Sequence, residues 1–192
     1  MRPCPAPRWP RLAALAIAAG ALAPIRDARA DDEQALSAGV GWASFSVPGV
    51  AMPKQAPPSL SPDVGGAVAV SYERAISTEL SLRGEAAAGV FHGGQQGAQS
   101  PTAYAALGDV GAVFRFDVLK VVPYAFVGIG GMATSGGPID RGATVTAVIG
   151  GGVDWLVDRH RSLGVEARLA SFAGDITVVT VGVRGTVRWG AL

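Results

Sequence analysis

The chain has 192 residues, of which 49% are hydrophobic and only 16% charged, with a formal net charge of +1. That balance gives no reason to expect a nucleic-acid partner, and a single cysteine, Cys4, excludes an intrachain disulfide or a set of thiolate metal ligands. Glycine occurs 27 times, which weighs against a helical bundle because glycine disfavours helix interiors.

Residues 1–30 read as a removable export signal. Arg2, Arg8 and Arg11 form a basic start, Leu12 to Ala23 an apolar stretch, and Ala28-Arg29-Ala30 a small-x-small cleavage site. The apolar stretch is too short to cross a bilayer as a helix. The mature domain is therefore expected to span 31–192. The signal holds five arginines and one aspartate, so the remainder carries eleven basic and fourteen acidic residues, a net charge near −3.

From residue 31 onward the chain alternates apolar and polar residues. Eight strands are expected, at 36–47, 63–75, 78–91, 102–117, 121–132, 142–157, 161–172 and 176–190. In the second, Val64, Val68, Val70 and Tyr72 oppose Ala67, Ala69, Ser71 and Glu73. In the third, Leu80, Leu82, Ala86 and Val90 oppose Glu79, Ser81, Arg83 and Glu85. In the fourth, Tyr104, Val110, Phe114 and Phe116 oppose Asp109, Arg115 and Asp117. The fifth is ambiguous: Val122, Tyr124 and Phe126 face one way, Val127 and Ile129 the other. The sixth sets Val145, Ile149, Val153 and Trp155 against Thr144, Thr146 and Asp154, and the seventh Leu163, Val165 and Leu169 against Gly164, Glu166 and Arg168. The last is the clearest. Val181, Val183, Val187 and Trp189 share one face; Thr180, Gly182, Arg184, Thr186 and Arg188 share the other.

A strand with valine and tryptophan on one side and two arginines on the other suits a barrel set in lipid, apolar outside and polar inside. An open sheet edge in lipid would leave backbone groups unpaired, so closure is required. The expected fold is all-β, an eight-stranded antiparallel up-and-down transmembrane barrel. Long connections at 48–62, 92–101 and 133–141 alternate with short ones near 76–77, 118–120 and 158–160, as outer loops alternate with periplasmic turns. The first loop, holding Pro48, Pro53, Pro57, Pro58 and Pro62, is expected to form no strand and to be mobile. Glu73, Glu79, Arg83, Glu85, Asp109, Arg115, Asp117, Asp154, Glu166, Arg168, Arg184 and Arg188 are expected to point inward as a mutually neutralising network. Tyr72, Phe116, Trp155 and Trp189, outward near the ends of even-numbered strands, are expected to form an aromatic girdle at one membrane interface.

These features, together with Pro123-Tyr124-x-x-x-Gly128-x-Gly130 and a final strand ending near an aromatic residue, resemble the small outer-membrane β-barrel family of OmpA-transmembrane-domain and OmpX-like proteins. The family's last strand usually ends on its aromatic residue; here Trp189 is followed by Gly190-Ala191-Leu192. The resemblance implies a Gram-negative outer membrane, contact with its lipid and lipopolysaccharide, assembly by the barrel assembly machinery, and a non-enzymatic envelope or surface role with, at most, a narrow pore.

Candidate chemistry is sparse, and no cofactor, catalytic or metal site is expected. Gly128-Ile-Gly130-Gly131-Met132-Ala133 matches a dinucleotide fingerprint, yet a loop-forming sequence rather than a helix follows it. Gly150-Gly151-Gly152 lacks the Lys-Ser/Thr of a phosphate loop. An outer-membrane lipid A-modifying enzyme would need a positioned histidine and serine; only His92 and His160 exist, one in an outer loop and one in a periplasmic turn. A soluble lipocalin-like barrel would carry the opposite polarity, apolar inside and charged outside, around a small lipophilic ligand. The ligand and the oligomeric state stay open.

Overall fold

A computed structural model describes residues 33–49, 57–94, 100–116, 120–172 and 176–190. The proposed export signal lies outside the described residues. The strands are β1 (Gln34–Pro48), β2 (Ser59–Leu60), β3 (Val64–Ala75), β4 (Leu80–His92), β5 (Thr102–Arg115), β6 (Val121–Ser135), β7 (Gly142–Leu156), β8 (Arg161–Phe172) and β9 (Ile176–Trp189). The eight long strands pair antiparallel with their neighbours in chain order, and β1 pairs with β9, so the sheet closes into a barrel. The two-residue β2 is an addition to one rim, pairing Leu60 and Ser59 with Val47 and Pro48.

Valine-rich alternation makes these segments strands, since branched side chains suit a pleated surface. Pro123 is tolerated because it stands beyond the last residue of β5. Its carbonyl still accepts the Phe116 N–H at 2.8 Å, so the missing N–H costs only the return bond at the end of the β5–β6 ladder.

Both ends of the described chain, Glu33 and Gly190, lie at one end of the barrel with the connections β3–β4, β5–β6 and β7–β8; this is the turn end. At the loop end, two connections differ from the sequence reading. The proline-rich 48–62 stretch does contain paired backbone: besides β2, Gly49 N–H bonds Pro58 O at 2.7 Å. Ser59 and Leu60 escape the proline constraint because the prolines flank rather than interrupt them. The 133–141 stretch is not a free loop either. β6 continues to Ser135, and a 3-10 turn, Gly137–Ile139, places Ile139 fully buried in the barrel mouth.

The outer wall is apolar. Val40, Val68, Val70, Leu82, Val110, Val127, Ile129, Ile149, Leu163, Val181 and Val183 are all exposed large hydrophobics. No aqueous surface would hold so continuous a belt; hydrocarbon would.

Candidate functional site

Among the described residues the barrel encloses a lumen with two zones. Toward the turn end it is charged. Arg184 on β9 is the hub: its Nε and NH2 grip Asp154 of β7 at 3.1 and 2.8 Å, while NH1 reaches Glu166 at 3.2 Å and Glu73 at 3.4 Å. Arg83 forks onto Glu166 at 2.9 and 3.1 Å and also pairs with Glu85, which in turn pairs with Arg168. Arg115 binds Glu73 at 2.6 Å and reaches Glu33 at 3.8 Å; Arg188 bridges Asp154 at 3.1 Å and Glu33 at 3.4 Å. These contacts form one continuous chain of alternating sign. Forked arginine–carboxylate pairs are the strong form of such contacts, and pairing offsets the cost of desolvating each ion.

Two aromatic residues of β6 belong to the same cluster. Tyr124 OH donates to Glu166 at 2.9 Å and its ring lies under the Arg184 guanidinium at 4.1 Å; Phe126 lies under Arg83 at 4.3 Å. This settles the ambiguous strand. Val122, Tyr124 and Phe126 point inward, and Val127 and Ile129 outward. The inward direction is open to large rings because β7 supplies glycine opposite them: a Cβ on Gly150 or Gly152 would collide with Phe126 or Tyr124. The sequence held that signal in the Gly150-Gly151-Gly152 run, which lies within a strand, as does the Gly128-x-Gly130-x-x-Ala133 motif. Glu33 is the other participant missed from sequence, since it precedes the first periodic residue.

The remaining inward candidates fall differently. Asp109 is buried in the lumen, opposite Glu85, with its Oδ2 unpartnered among the described residues. Glu79 is corrected: it sits exposed in the β3–β4 turn, where alternation no longer applies, and its carbonyl accepts the Arg115 N–H at 2.8 Å. Asp117 lies outside the described residues.

Toward the loop end the lumen is apolar. Phe45 and Val47 of β1, Phe91, Ala103, Met132, Val148, Ala170, Ile176 and Val178 pack with Ile139. Phe45 and Phe91 meet edge to face, 5.3 Å between centroids. Between the zones, small residues leave two cavities of about 30 Å³ each, one against Ala43, Ala67 and Ala87 and one against Gly39, Gly41 and Gly182; both touch Arg168 and Thr180. Such a space admits a water molecule or two, not an organic ligand.

Of the four aromatic residues expected at an interface, Tyr72, Trp155 and Trp189 face outward near the turn end, and Phe116 is exposed one residue past β5, edge-on to Phe114 at 4.9 Å. Tyr72 and Trp189 rings are 6.5 Å apart. The two histidines lie at opposite ends of the barrel, His92 at the last residue of β4 and His160 in the β7–β8 turn, so they cannot share a site.

No family model and no curated protein matches the chain. Solved structures do. The barrel is similar to Neisserial surface protein A, with a TM-score of 0.62 and 13% identity over 81% of this chain and 97% of that one. It is similar to Ail of Yersinia pestis in complex with the heparin analogue sucrose octasulfate, with a TM-score of 0.55 and 16% identity over 83% and 99%. The N-terminal β-barrel domain of Pseudomonas aeruginosa OprF gives a TM-score of 0.53 and 10% identity over 83% and 98%. The chain has the fold of the small eight-stranded outer-membrane barrels.

Proposed function

We propose that the protein is a non-enzymatic integral barrel of a Gram-negative outer membrane, contributing to envelope integrity and surface presentation, with its lumen closed to solutes. The observation that carries this is the doubly filled interior: a connected ion-pair network below, an apolar plug crowned by Ile139 above, and two small cavities of about 30 Å³ each between them. The apolar outer wall supports residence in lipid, and Tyr72, Phe116, Trp155 and Trp189 would form the girdle at the periplasmic interface, making the turn end periplasmic. Lipid and lipopolysaccharide are the standing partners on this reading, and the barrel assembly machinery would fold the chain through β9. The polyanion seen on Ail is not carried over, because the described loop end offers Arg141 against Asp63 and Asp140 rather than a basic cluster.

Single-channel recording of the folded barrel in planar bilayers tests the closed lumen. No stepwise conductance above the bare membrane is expected. Stable openings at neutral pH would replace the closed barrel with a narrow pore.

A further inference from the structure

The outer wall at the turn end carries a group of aromatic and basic side chains. Arg161 of β8 stands opposite Val187 of β9. The next outward residue on β9, Trp189, stands opposite Gln34 of β1, and Gln34 opposite Arg74 of β3. Tyr72 OH donates to Gln34 Oε1 at 2.9 Å and its ring leans on Trp189. Arg159 is exposed in the turn that leads into β8. That turn is held rigidly: His160 N–H bonds Asp158 Oδ1 at 2.7 Å, and Arg188 N–H bonds His160 O at 2.7 Å. Two interfacial rings are thus flanked by Arg159 and Arg161 on one side and Arg74 on the other, across the seam where the barrel closes.

We propose that this rim binds the phosphate headgroup of an anionic glycerophospholipid in the periplasm-facing leaflet. The proposal rests on the membrane reading and orientation given above. Guanidinium groups match phosphate geometry with paired donors, and the Trp189 and Tyr72 rings would lie along the glycerol and upper acyl region. Charge distribution selects the source of the phosphate. Among described residues, the turn end exposes Lys120, Arg159 and Arg161 against Glu79 and Asp158; the loop end exposes Arg141 against Asp63 and Asp140. The phosphates of lipopolysaccharide would face the loop end, where the balance is acidic.

The test uses the full chain with Trp9, Trp42 and Trp155 replaced by Phe, leaving Trp189 as the single tryptophan. It is folded into vesicles containing brominated phosphatidylglycerol or brominated phosphatidylcholine at equal mole fraction. Quenching of Trp189 is expected to favour the anionic lipid. Arg161→Gln should lower that preference on the order of fivefold, the effect of one arginine at an anionic surface. Arg159→Gln should act in the same direction. Lys120→Gln, on the opposite wall, should leave it unchanged. Equal quenching by both lipids, or an equal loss with Lys120→Gln, overturns the headgroup site while leaving the membrane barrel intact. A chain that never acquires an SDS-resistant, heat-modifiable form in vesicles overturns the membrane reading, and this site with it.

Discussion

The two halves of the lumen are built on opposite principles, and β1 shows both. In its lower part Leu36 and Val40 face outward while Ser37 is buried; in its upper part Phe45 and Val47 are buried while Ser46 is exposed. The register does not slip between them, because odd residues point inward throughout. What inverts is the chemistry. The lower half is a membrane barrel, polar within and apolar without. The upper end of β1 is instead apolar within and polar without, while the strands beside it stay apolar outside as well, with Val64, Val90, Tyr104 and Val145 exposed.

The largest way to break the charged half is to remove its hub. Arg184→Ala would leave Asp154, Glu73 and Glu166 without the cation that joins them. Breaking one partner out of a buried ion network costs about 3–5 kcal/mol. Urea unfolding of the barrel in lipid vesicles should report a loss of that size. A loss near zero would mean that the remaining arginines, with water, neutralise the acids without it.

A smaller effect locates the boundary between the two regimes. Val183→Arg places a charge on the outward face of the lower half and should cost about 2–4 kcal/mol near mid-membrane. Ser46→Arg is also outward, but on the upper half of β1, and should cost under about 1 kcal/mol. Both are read by the same unfolding assay. Equal penalties would place Ser46 inside the hydrocarbon and remove the inversion.

That inversion explains which parts of the fold were legible in the sequence. Where a strand stays in one regime, period-two alternation names its faces directly. In β9, from Val181 to Trp189, every valine and the tryptophan lie outward and both arginines inward. Where a strand crosses regimes, as β1 does, alternation persists but the apolar residues change sides, so the pattern looks weak. In β6 both faces are apolar, and the direction is decided by Gly150 and Gly152 on the neighbouring strand, information that lies about 25 residues away and depends on register. The ion network was legible as a set of inward charges but not as a set of partners. Glu79 shows the limit at the other end, since a parity rule extended past the end of a strand into a turn assigns a face that the turn does not have.

The smallest predicted change concerns the one carboxylate the network leaves over. Arg83, Arg115, Arg168, Arg184 and Arg188 find Glu33, Glu73, Glu85, Asp154 and Glu166. Among the described residues Asp109 forms no salt bridge with that chain, faces Glu85 directly across the β4–β5 pair, and keeps Oδ2 unpartnered. Gly128 and Gly130 leave room for its side chain, since a Cβ on either would press against it. Asp109→Asn keeps the shape, removes a negative charge opposite Glu85, and replaces an acceptor by a group that can donate to nearby carboxylates. A buried group without a partner costs about 1–3 kcal/mol, so the substitution should be neutral or raise stability by about 1 kcal/mol. Losing comparable stability instead would show that Asp109 is held by an interaction its negative charge makes, and the charged half would then be balanced six acids against its arginines rather than five.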